Sequence, residues 1–209
     1  MDSNANDVVT LLLVNIDNLP ASSFAQVFDS AGLSSLAFTP STPTLPASSW
    51  PSLGDMIDSG KRLVVFMDNG ANDANFAYLI PEFGNIWETA FDTTDPSFPC
   101  SVNRSQGDTS QQMGLINHFL DSTQGLIESA STLAPAKDDL NTTNAVSGPG
   151  SLGQQAADCI SQNSRAPNFM LVDVSLFTTS FIVGLIDTLD SSTITAKGRS
   201  LLLLPRSTM

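Results

Sequence analysis

The chain has 209 residues, 41% of them hydrophobic and 14% charged, a globular composition with enough apolar side chain for a sizeable core and no mark of disorder. Its 8 Lys plus Arg stand against 21 Asp plus Glu, a net charge of -13, so nucleic acid and an anionic membrane surface are repelled at long range and drop out as bulk electrostatic partners. An anionic lipid head can still enter a locally polar site. No apolar run reaches the roughly 18–20 residues that span a bilayer, and Met1–Asp7 has neither the basic nor the apolar region of a secretory signal.

Four short apolar runs organise the chain. Val8–Val14 leads into Asn15 and Asp17, Leu63–Met67 into Asp68, Leu115–Leu120 surrounds His118, and Phe169–Val172 leads into Asp173. Continuous Val, Ile and Leu without alternation marks strands buried on both faces, as in parallel sheets. In α/β folds chemistry gathers at the carboxyl ends of such strands.

After the first run, Phe24, Val27, Phe28 and Ala31 take helical spacing, with Ser22 or Ser23 as N-cap and Gly32 as the stop. Prolines and hydroxyl residues from Phe38 to Pro51 make an irregular connection, and Leu53, Met56 and Ile57 predict a short helix stopped by Gly60. The length between the first two strands fits a parallel crossover rather than a hairpin. Lys61 and Arg62 precede the second strand, so they belong at its N-terminal, solvated end. Residues 69–95 read as loop with one aromatic cluster, Phe83, Ile86, Trp87 and Phe91, which packs a lid or short helix onto a rim; Glu88, beside Trp87, reads as a rim ion or an exposed acid, with a reach into the pocket as the alternative. Ser97–Ser110 reads as an exposed loop, followed after the third strand by a helix over Leu126–Leu133. A helix through Leu152, Ala156, Cys159 and Ile160 precedes the fourth strand.

Residues 1–190 form one domain in this reading. Residues 191–209 differ in kind: Lys197, Arg199 and Arg206 fall in a stretch with no acid, which fits either an altered C-terminus or a short basic arm. Cys100 and Cys159 either close one disulfide, as an oxidising compartment allows, or are two buried thiols. Asn103-Arg104-Ser105 and Asn141-Thr142-Thr143 are glycosylation sequons in polar stretches where surface loops are expected.

The stretches Asp7–Asn15 (DVVTLLLVN), Gly60–Asp68 (GKRLVVFMD), Asn85–Thr89 (NIWET), Ile116–Leu120 (INHFL) and Ala166–Asp173 (APNFMLVD) resemble, in order, the fungal secreted proteins similar to phosphatidylinositol-specific phospholipase C. The resemblance runs from about Asp2 to about Asp173. It implies an α/β fold, an irregular TIM-type (β/α) barrel, here incomplete with its front strands missing. It also implies cleavage of a phosphodiester or phosphoinositide-like substrate by a pair of histidines, one as base on the inositol 2-hydroxyl and one as acid on the leaving group. Both histidine motifs belong to earlier strands of that family, upstream of where Met1 stands. Secretion follows from the same resemblance, and the chain is expected to be a monomer. Relatives that use calcium carry a glutamate where Val14 and Asn15 stand, which argues against calcium here and leaves the cofactor open.

His118 is the single histidine of the chain, so the two-histidine mechanism is not assembled from these residues and the chain alone is expected to be inactive. His118 reads either as a pocket residue or as a buried, hydrogen-bonded one. Asn15, Asp17 and Asp68 are candidates to hold substrate hydroxyls or orient a catalytic histidine. Asp17 also suits a turn and Asp173 a helix cap. No zinc spacing, phosphate loop or serine-nucleophile elbow is present. The alternative from another class is a secreted binding protein that keeps the barrel without hydrolysis.

Overall fold

The computed structural model describes residues 5–124 and 132–172. Asp173, most of the helix expected at Leu126–Leu133 and the whole 191–209 stretch lie outside the described residues. The described residues are mixed α/β with three small sheets among them, and the chain divides into two compact units. The described part of one is residues 5–87 and 105–113; that of the other is residues 88–104, 114–124 and 132–172.

The first unit is built on a parallel sheet of order β1-β2-β3. β1 (Val9–Leu13) pairs with β2 (Leu63–Met67) from Val9 opposite Leu63 to Leu13 opposite Met67, and β3 (Leu79–Pro81) pairs with β2 from Leu79 opposite Val65. All five side chains of β2 are buried, each apolar one contributing roughly 1.5–3 kcal/mol. The crossover holds α1 (Ala21–Ser30) and α2 (Leu53–Asp58). α1 lays Ala21, Ala25 and Phe28 on the sheet side, and Phe28 and Ala21 join Leu63, Val65, Met67 and Leu79 in one core. Its start corrects the expected Ser22 or Ser23 cap: Pro20 is the N-cap, without a side-chain cap bond. Proline's fixed φ and missing N–H make it a ready first residue. The stop is the expected one, with Gly32 at φ +68°, Gly32 N–H donating to Asp29 O and Leu33 N–H to Phe28 O, the paired closure that a left-handed residue permits. In α2, Ser52 and Asp55 form a reciprocal capping box.

Lys61 donates to Ser35 O and Arg62 to Asp7 O at the N-terminal end of β2. The aromatic cluster expected on a rim is divided. Phe83 lies in α3 (Glu82–Asn85), Ile86 and Trp87 are buried in β4 (Ile86–Glu88), and Phe91 is exposed.

In the second unit, β5 (Met113–His118) runs parallel to β8 (Phe169–Val172), with Leu115 opposite Phe169 and His118 opposite Val172. Asn168 fixes this register, its N–H donating to Gly114 O and its Oδ1 accepting from Gly114 N. Thr89, just past β4, donates to Leu115 O and so lies beside β5. β6 (Asp121–Gln124) and β7 (Thr132–Pro135) form an antiparallel pair. Thr132 and Leu133 therefore open a strand rather than closing the expected helix, because their backbones pair with Gln124 and Thr123. α4 (Leu140–Thr143) and α5 (Leu152–Asn163) follow. α5 buries Leu152, Gln155, Ala156 and Cys159, the face read from its spacing with Gln155 added. A Cβ at Gly153 would meet Val146 O, so only glycine fits that backbone crossing.

Cys100 and Cys159 form a disulfide, with Cα atoms 5.2 Å apart. It draws the Ser97–Ser110 loop inward: Phe98 and Cys100 are buried, where an exposed loop was expected. Among the described residues no helix is long and apolar enough to cross a membrane.

Candidate functional site

The first unit brings Asn15 and Asp68 together at the carboxyl ends of β1 and β2. Asp68 N–H donates to Leu13 O at 3.1 Å, continuing the ladder, and its Oδ1 accepts from Asn15 N–H at 2.8 Å. Asn69 joins them, its Nδ2 donating to Asn15 O and to Asp68 Oδ1. The Asn15 side chain is spent on the backbone: Nδ2 donates to Leu19 O, and Oδ1 accepts from Leu19 N–H, both at 2.9 Å. Asn15 is therefore a clamp on the loop after β1, buried to 2% exposure. Gly70, at φ +78°, packs so near that a Cβ would lie 3.1 Å from Asn15 Nδ2. Asp68 is half-buried, and the bonds it accepts in this network run to Oδ1. Asp17 is exposed in the turn closed by Asn18 N–H on Asn15 O, apart from this network.

The second unit contains a cluster that residue type alone did not single out. Glu88, the last residue of β4, is 1% exposed, which overturns its reading as an exposed acid. Its Oε2 accepts from Arg104 through Nη2 at 2.6 Å and Nε at 3.1 Å, and from Asn117 Nδ2 at 3.2 Å. Asn117 is fixed in turn: its N–H donates to Thr89 Oγ1 at 2.9 Å and its Nδ2 also to Thr89 O at 3.0 Å. Asn103 N–H donates to Glu88 O, placing Arg104 against the strand end, and Phe91 lies under the Arg104 guanidinium at 4.1 Å, a cation–π contact. Glu88 Oε1 is buried without a hydrogen-bond partner. Leaving a carboxylate oxygen bare in a low-dielectric setting is costly. The signal in the sequence was an acid directly following two core residues, Ile86 and Trp87, inside a strand.

His118, next along β5, points to the other face. It is 0% exposed. Its Nε2 lies 2.7 Å from Thr143 O and its Nδ1 2.7 Å from Gln155 Oε1, with the Phe98 ring packed against it at 4.0 Å between centroids and tilted by 39°. A carbonyl only accepts, so Nε2 carries a proton. Nδ1 faces Gln155 Oε1, which accepts from it when the ring is protonated. Burial pushes the His118 pKa below its ordinary value, with the bonds to Thr143 and Gln155 opposing that shift. Both nitrogens are committed inside the fold, the arrangement of a buried, hydrogen-bonded histidine. Phe98 and Thr143 also line a cleft of about 390 Å³ with Leu120, Pro149 and Asp139. Among the described residues no three His, Cys, Asp or Glu side chains gather into a metal-binding set.

Polar groups thus collect at the carboxyl ends of parallel strands, amide and acid together, in each unit. The family model described as PI-PLC X 1 matches residues 1–182, and the chain belongs to the PI-PLC X domain family. It is 41% identical over 174 residues to a protein named "Uncharacterized secreted protein" from Arthroderma benhamiae, covering 81% of this chain and 39% of that one. It is 38% identical over 176 residues to "PI-PLC X domain-containing protein 1" of the same fungus, covering 83% of this chain and 56% of that one. The chain thus spans 39% and 56% of the length of these two curated relatives. No solved structure matches it.

Proposed function

We propose that these residues form the headgroup-holding part of a phospholipase C-like phosphoric diester hydrolase, secreted like its named relative and built on the irregular TIM-type barrel of its family. The observation that carries this reading is Glu88: a buried carboxylate at a strand end with Oε2 held by Arg104 and Asn117 and Oε1 left without a hydrogen-bond partner. A polyhydroxylated phosphodiester headgroup supplies the hydroxyl to Oε1, and the half-exposed Arg104 cation offsets the negative charge that such a ligand adds. Proton transfer to and from phosphorus-bound oxygens needs an acid and a base, and His118 is enclosed, so these residues hold the substrate and do not turn it over by themselves.

The enclosed state of His118 also favours a second reading, a secreted protein that binds such headgroups without hydrolysis. Phosphatidylinositol cleavage separates the two when measured on the 209-residue chain and on the chain joined upstream to histidine-bearing strands of its family. Turnover in the joined protein that falls at least tenfold with Glu88→Gln, matching one charge-assisted bond of about 1.5–3 kcal/mol, supports the hydrolase. Binding of inositol phosphates without turnover supports the second reading. Neither binding nor turnover, or full turnover in a folded Glu88→Gln protein, sinks the assignment of Glu88.

A further inference from the structure

Asn103 and Asn141, like Asn18 and Asn72, stand apart from the hydrogen-bond networks that engage Asn15, Asn85, Asn117 and Asn168. Asn103 and Asn141 are exposed, and no bond holds either side-chain amide, although the backbone around each is fixed. Both head Asn-x-Ser/Thr triplets with Arg104 or Thr142 in the middle position and no proline to block transfer. An amide that does nothing for the fold loses nothing when it is extended by a sugar.

The rest of each triplet is locked. Ser105 Oγ donates to Gln112 Oε1 at 2.6 Å and accepts from Gly107 N–H at 3.2 Å, while Asn103 and Arg104 N–H both donate to Glu88 O. Thr143 is buried in α4, and its carbonyl receives the His118 ring. The hydroxyl residue that a transferring enzyme must read is therefore hydrogen-bonded at one site and buried at the other once the chain has folded. Asn103 also lies three residues beyond Cys100, whose bond to Cys159 closes this loop.

We propose that Asn103 and Asn141 are N-glycosylation sites, and that both glycans are added before the Cys100–Cys159 bond closes. In each transfer Asn Nδ2 forms a bond to the anomeric carbon of an oligosaccharide carried on a lipid diphosphate. The bond from that carbon to the diphosphate oxygen breaks, the lipid diphosphate leaves with the electron pair, and the amide proton passes to a base of the transferase. The chemistry is independent of the hydrolase reading.

The test is synthesis of the full chain behind a cleavable export signal in the presence of microsomes, scored on the translocated, protease-protected product. Two mobility steps are expected, both removed by an amidase that releases N-glycans, with Asn103 and Asn141 then read as aspartate in the mass spectrum. Asn103→Gln and Asn141→Gln should each remove one step. Occupancy should be equal or higher in Cys100→Ser/Cys159→Ser, and purified folded chain should resist a transferase and donor that modify the reduced, unfolded chain. A translocated chain without mobility steps, or steps that survive both substitutions, overturns the sites. Lower Asn103 occupancy without the disulfide, or equal modification of the folded chain, overturns the order.

Discussion

Removing the disulfide tests the architecture of the second unit most directly. Cys100→Ser/Cys159→Ser replaces two buried sulfurs with side chains of similar size, so the chief change is the release of a loop of 59 residues in the unfolded chain. The chain-entropy relation gives about 14 cal/mol/K for that loop, or about 4 kcal/mol at 25 °C. For a protein of this size that is a fall in Tm of roughly 8–16 °C. Urea unfolding followed by circular dichroism should show the loss in the second unit's transition, with a larger m-value as the unfolded ensemble expands. The disulfide also ties together two contacts of His118. Phe98 lies two residues before Cys100, and Gln155 lies one helical turn before Cys159. The imidazole resonances of the variant should therefore broaden or shift before global unfolding. A loss below about 1 kcal/mol with an unchanged m-value would refute the entropic reasoning, and an unmoved imidazole would refute the coupling to His118.

Arg104→Met leaves the Glu88 carboxylate buried with Asn117 as its remaining donor; with Arg104 37% exposed, the expected cost is about 2–3 kcal/mol, below the full range for a broken buried pair. Chemical denaturation of Arg104→Met, Glu88→Gln and the double variant should give a coupling above about 1 kcal/mol, and additive losses would show that the pair is energetically idle. His118 has a folded pKa below its ordinary value near 6.5, so the unfolded chain takes up a proton first, and stability falls as pH drops from about 6.5 toward the folded pKa. His118→Gln should flatten the stability–pH curve between pH 6.5 and 5; an unchanged slope would assign it to other groups. Ser52→Ala removes a capping box from α2 and should cost about 1 kcal/mol, read as a small fall in the first unit's Tm; no measurable fall would mean that α2 is held by its packing alone.

The strands were legible because their signal is local. Val9–Leu13, Leu63–Met67 and Phe169–Val172 announce themselves by unbroken apolar residues, and the parallel pairing of β1 with β2 followed from the length of their connection. Glycine stops were equally plain, since Gly32 and Gly60 take the left-handed φ that other residues avoid. The start of α1 was misplaced by the strong capping habit of serine, where proline at position 20 supplied the geometry instead. Contacts that depend on a distant segment left no such trace. Arg104 reaches Glu88 from sixteen residues away, and the partners of His118 come from 25 and 37 residues along the chain.

The neighbouring residues Asn117 and His118 show why rarity is a poor guide to a site. The single histidine draws attention because imidazole chemistry is versatile, yet the strand's alternation sends it to the face covered by α4 and α5, where Thr143 and Gln155 absorb both nitrogens. Asn117, an ordinary residue one step earlier, is sent to the opposite face, where it meets Glu88 and Thr89. A strand end that closes two polar networks on opposite faces offers a ligand only the face with an unsatisfied atom. Glu88 Oε1 is one such atom, and the proposed headgroup reading rests on the Asn117 side for that reason.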